Sequence, residues 1–176
     1  MFDKRNQVVL MGVAFVILLF FSYFTNVIFF GALDRIFHNQ LLGFLMIFMN
    51  NVIVVSLILL GMTFYVKLVT NDYFKREKHP QVVLEHPKTF AAVFAVIVIL
   101  FGILRGTNLI FGNIIIEMLP LIFLVNAPLG IIEGYGVYFT INKTLTRTIV
   151  LKDLVRIYGI FLLAAAIEVG LVSVLS

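Results

Sequence analysis

Apolar positions in this chain follow one another without a regular polar beat, and the runs have the length of membrane crossings. Val8 to Leu33, Ile36 to Val66 and Thr89 to Leu104 carry no Asp, Glu, Lys or Arg. Roughly 20 such residues cross a hydrocarbon layer of about 30 Å. Along the whole chain the segments fall at about 8–33, 39–66, 89–104, 108–125, 127–142 and 154–175. Helices follow from the solvent, because backbone facing lipid must satisfy its own hydrogen bonds.

The stretch between Arg105 and Lys143 decides the span count. It is long for one helix and tight for two crossings, and Pro120 and Pro128 interrupt it. Loop charge arbitrates. Lys4 and Arg5 precede the first segment. Lys67, Lys75, Arg76, Lys78 and Lys88 lie between the second and third, and Lys143, Arg147, Lys152 and Arg156 accompany the last connection. All but Arg35 and Arg105 of the 13 Lys and Arg residues thus fall in alternate loops. Basic residues stay cytoplasmic, so the N-terminus is expected inside and the C-terminus outside. One crossing then joins the loop at 105–112 to the loop at 142–153. The expected fold is an all-α polytopic membrane bundle in a single transmembrane domain over 1–176. It has five spans, at 8–33, 39–66, 89–104, 127–142 and 154–175, and a broken or re-entrant segment at about 108–125.

Composition agrees with this pattern. Of 176 residues, 62% are hydrophobic and 12% charged, against roughly 45–50% and 25% in soluble domains. The net charge of +4 is what cytoplasmic loops accumulate and does not call for nucleic acid. Cysteine is absent, which removes disulfides, thiol nucleophiles and thiolate metal sites. The first segment is too long for a leader's apolar core and lacks a small-residue cleavage site, so it reads as a retained signal anchor.

Acids inside the apolar runs are the unusual feature. In 127–142 a handful of strongly apolar residues, each worth roughly −0.3 to −0.6 kcal/mol, must offset Glu133 at about +2.5 to +3.5 kcal/mol. The sum is near zero, so this helix is expected inside the bundle rather than against lipid. Glu168 lies in a last span with apolar residues to spare, one turn after the small residues Ala164 and Ala165. Gly130, Glu133, Gly134 and Val137 share one helical face, and Gly130 with Gly134 forms a small-xxx-small pair. Pro128 and Gly136 flank it, and Gly61 lies on the second span. Asn50 and Asn51, also on the second span, offer amides to a protonated or ionised carboxyl. Glu117 and Arg105 are secondary candidates for an interfacial pair.

No GxSxG, HExxH or phosphate-loop motif is present. His38, His79 and His86 all fall in loops, so no metal or other cofactor is expected and the chain does not read as an enzyme.

Three stretches resemble the stage II sporulation protein M family of multi-span membrane proteins. FLMIFMNNVIVVSLILLGMTF looks like its early helix, matched at Asn51 and Gly61. APLGIIEGYGVYF is similar to its Pro-His-Gly-x-x-Glu motif at Pro128, Gly130 and Glu133, with Leu129 in place of the histidine. LLAAAIEVGLVS looks like its terminal helix at Ala166, Ile167 and Glu168. The resemblance covers about 39–176. It implies a membrane component without chemistry of its own; in spore-formers the family member organises cell-wall hydrolases at the engulfing membrane. The expected role is therefore a non-enzymatic scaffold or anchor in the cell membrane. Its partners would be the lipid bilayer and other membrane proteins or copies of itself. The alternative is a small transporter or channel subunit in which Glu133 and Glu168 bind a cation or proton.

Overall fold

The computed structural model describes residues 4–31, 39–71, 79–111 and 116–175. Among these residues the chain is all helical. α1 spans Lys4–Gly31, α2 Gln40–Thr70, α3 His79–Glu85, α4 Pro87–Phe111, α5 Leu119–Leu145 and α6 Leu151–Leu175, with a 3-10 turn at Ile116–Met118 before α5. Among the described residues three helices are long and apolar enough to cross a membrane: Asn6–Phe29, Gln40–Thr70 and Leu151–Leu171. A fourth apolar stretch, Pro87–Gly102, is shorter.

The helix ends are built from local polar chemistry. Asn39 caps α2, its side chain accepting from the Leu42 N–H at 3.1 Å. At the start of α6 the Asp153 carboxylate reaches back to accept from the Val150 N–H at 3.1 Å, one arm of a capping box. α5 closes with Arg147 N–H donating to the Thr144 carbonyl and Thr148 N–H to the Lys143 carbonyl, both at 3.1 Å. This is a Schellman arrangement, and it places Arg147 at φ 57°. Within the helices, the Thr63, Thr140 and Thr144 hydroxyls donate to carbonyls one turn back at 2.6–2.7 Å. That satisfies each hydroxyl without water.

Where the sequence predicts a separate broken piece at about 108–125, the described residues divide differently. Positions 108–111 end α4, 116–118 form the 3-10 turn, and 119–125 already belong to α5. Pro120 costs nothing in the first turn of a helix, where its missing N–H has no intrahelical acceptor. Pro128 lies inside α5, with the helix continuing through it. The proline removes one intrahelical hydrogen bond without ending the helix.

Four helices share one core. Val55 and Val66 of α2, Ala91 and Ala95 of α4, Val137, Ile141 and Leu145 of α5, and Ile157 and Phe161 of α6 form a single buried cluster. Where helices meet within lipid, which is as apolar as leucine, close packing and polar contacts hold them together rather than burial from water. Accordingly α4 meets α5, its most extensive neighbour, through the small residues Ala91 and Ala95. α1 stands outside this core and packs principally on α2, where Phe15 and Phe64 stack at 6.4 Å. Its remaining surface, including Leu10, Ile17, Phe20, Phe24 and Ile28, is exposed and apolar, which fits a membrane-crossing helix.

Candidate functional site

The polar residues singled out in the sequence sit at comparable depth on three helices, and contacts between the helices set the register. Ser56 of α2 shares a hydrogen bond of 3.0 Å with Tyr158 of α6, and Ile47 clusters with Ala165. α2 and α6 therefore run antiparallel, with position 50 level with about position 164. Gly136 of α5 abuts Phe161 and Lys143 pairs with Asp153 at 3.4 Å, which brings position 133 to that same level. Asn50, Asn51 and Glu133 thus occupy one layer of the bundle. Glu168 lies one turn beyond it along α6, about 6 Å at 1.5 Å per residue.

Burial differs between the amides and the acids. Asn50 and Asn51 are only 4% and 5% exposed, and Asn50 Oδ1 and Asn51 Nδ2 have no hydrogen-bond partner. Each such orphan costs roughly 1–3 kcal/mol relative to a satisfied group. Glu133 and Glu168 are half-buried, and each is engaged with a neighbouring group. A second polar element, found on α1, extends the layer. Thr25 Oγ1 and Asn26 Nδ2 both donate to the Ser22 carbonyl at 3.0 Å, between Phe15 and Phe29, which meet α2. Asn26 was legible in the sequence as an amide within an apolar run.

The glycines of the candidate motif serve different helix pairs. A Cβ on Gly134 would stand 2.5 Å from Ile99 Cδ1 and 2.9 Å from its Cγ1, whereas one on Gly130 would meet Ile99 only at 3.4 Å. Gly136 faces the other way, against Phe161 and Ile160 of α6. Gly61 receives the Phe15 ring of α1. The small-xxx-small pair therefore faces α4, while Gly136 and Gly61 serve two further seams. Pro128 is exposed, and Glu117 is exposed in the 3-10 turn. Arg105 lies in α4, but its side chain is outside the described residues, as is His38. His86 is exposed. Among the described residues no group of three His, Cys, Asp or Glu side chains is placed to hold a metal.

Sequence reasoning missed an aromatic and cationic platform on α5 and α6. Tyr135 and Phe139 stack at 6.1 Å one turn apart. The Arg156 guanidinium lies 4.9 Å from the centre of the Phe139 ring and donates to Tyr135 Oη at 2.8 Å. The i, i+4 aromatic pair was the available signal; its partner across the turn was not. No protein-family model, curated protein or solved structure matches this chain.

Proposed function

We propose that this chain is a non-enzymatic membrane scaffold, anchoring a complex as a homo-oligomer or with other membrane proteins. The observation that carries the reading is how the acid-bearing helix is held. Gly134 against Ile99 and Gly136 against Phe161 lock α5 between α4 and α6, which suits a fixed frame. The likeness of three motifs to the stage II sporulation protein M family supports the same role and extends it to partners that remodel the cell envelope. In this reading five helices cross the membrane, with the N-terminus inside and the C-terminus outside. The arrangement of basic ends supports that topology. Lys67 donates to Gln7 at 3.4 Å and Lys143 pairs with Asp153, while Val66 and Leu145 share one cluster, so these basic helix ends lie at one end of the bundle.

Glu133→Gln tests the role, because it keeps the hydrogen-bonding shape and removes the titration. A scaffold retains stability and crosslinked assembly with Gln and loses them with Glu133→Leu. Failure of the Gln variant to assemble although it folds overturns the reading.

A second reading is favoured by an orphan amide oxygen. Asn50 Oδ1, a buried acceptor without a hydrogen-bond partner, lies at the depth of Glu133 and has the polarity to ligate a transported cation beside the carboxylate, whereas Asn51 Nδ2 is a donor and does not. pH-dependent ion flux in liposomes of the wild type, absent with Glu133→Gln, would put this reading first.

A further inference from the structure

We propose that Arg156, seated on Tyr135 and Phe139, is a binding site for the phosphate of an anionic phospholipid. The proposal does not depend on the scaffold role, but it rests on the topology proposed above, in which the start of α6 is cytoplasmic. Arg156 is exposed, yet its guanidinium is held: one nitrogen donates to Tyr135 Oη at 2.8 Å. Its Cζ lies 4.9 Å from the Phe139 centroid and 5.8 Å from that of Tyr135. A guanidinium has five N–H donors in a rigid fork, and the bond to Tyr135 uses one of them.

Among the described residues Arg156 and Lys152 have no acidic partner, the Lys143 charge being matched by Asp153. Lys152 is exposed one turn before Arg156 on the same helix. Lys143 lies 5.5 Å from the Phe139 centroid. The nearby acid Asp153 is already committed to Lys143 at 3.4 Å and to the Val150 N–H. Arg156 begins the second turn of α6, about 8 Å along the helix from Leu151 at 1.5 Å per residue, which is headgroup depth for a span that starts at the interface. Leu151 and Val155, 78% and 69% exposed, flank it with surface suited to acyl chains. Phosphate accepts a bidentate guanidinium fork, and anionic lipids concentrate on the cytoplasmic leaflet. Charge complementarity with apolar flanks therefore selects a lipid phosphate over a soluble one.

Native mass spectrometry of the delipidated full chain, titrated with phosphatidylglycerol or phosphatidylcholine, tests this. Arg156→Gln should weaken phosphatidylglycerol binding about tenfold, the worth of one charged hydrogen bond, and leave phosphatidylcholine unchanged. Lys88→Gln, which removes an exposed charge at the start of α4, should change neither. Arg156→Lys keeps the charge and the fold but lacks the fork, and should also lose the preference; if it binds as wild type does, the guanidinium site is refuted. Equal losses from Arg156→Gln and Lys88→Gln would show diffuse charge instead. Displacement of the lipid by inorganic phosphate alone would overturn the lipid as occupant.

Discussion

Gly134 of α5 and Ile99 of α4 approach so closely that a methyl group on the glycine would stand 2.9 Å from Ile99 Cγ1. Ile99 is β-branched, and its χ1 in a helix has one strongly preferred rotamer, so Cγ1 yields only if the helices part. Overpacking of this kind costs about 1–3 kcal/mol, more than the roughly 1 kcal/mol that alanine gains over glycine in a helix. Gly134→Ala should therefore lower thermal stability in detergent. Gly136→Ala should do the same, because Phe161 is buried and cannot swing away. Gly130→Ala, at 3.4 Å from Ile99, and Gly159→Ala, with nothing within 4 Å, should be neutral or stabilising. Gly12 should tolerate alanine better than Gly134, since only the edge of the Phe64 ring opposes it at 3.2 Å. Equal melting temperatures across the series would remove the close-packed seam.

The hydrogen bond between Ser56 and Tyr158 joins residues 102 positions apart and pins α2 to α6. Hydrogen bonds between membrane helices average about 0.6 kcal/mol by double-mutant cycle. Ser56→Ala and Tyr158→Phe should each destabilise by about that amount, and the double variant by little more than either. Full additivity in an unfolding titration would mean that the two hydroxyls do not interact.

Arg147 occupies the left-handed region at φ 57°, a conformation costing an L-residue roughly 1–2 kcal/mol. Arg147→Gly should hold or raise thermal stability, whereas Arg147→Val, β-branched in the same conformation, should lower it by about 1–2 kcal/mol. A destabilised glycine variant would show that the Arg147 side chain contributes more than its backbone costs.

Reporter fusions check the proposed topology. Fusions after Asn71, after Thr146 and at the C-terminus should report inside, inside and outside. A cytoplasmic C-terminus would mean that the stretch from Arg105 to Lys143 crosses twice or not at all.

Much of the architecture was readable as pattern because the bilayer imposes a one-dimensional constraint. Apolar length and alternate basic loops already delimit α1, α2 and α6, and the near-zero insertion energy around Glu133 places α5 among other helices rather than in lipid. Caps at Asn39 and Asp153 are likewise local, since each acts within one turn. Reading Pro120 and Pro128 as breaks did not anticipate a continuous α5. Whether a proline ends a helix depends on its position within the turn and on the groups packed around it.

Tertiary structure alone decided which neighbours the marked residues have. A helix of known face is still free to rotate and slide, because lipid and protein are equally apolar and composition does not say which side meets which partner. Thus GIIEG announced close packing, but only three dimensions direct Gly134 to α4 and Gly136 to α6. The tandem Asn50 and Asn51 announced buried amides, but only the register of α2, α5 and α6 brings them level with Glu133 while leaving Asn50 Oδ1 and Asn51 Nδ2 without partners. Arg156 read as a loop charge until the turn at 146–150 folded it back onto Tyr135 and Phe139, since contacts between helices depend on side-chain positions that periodicity does not encode.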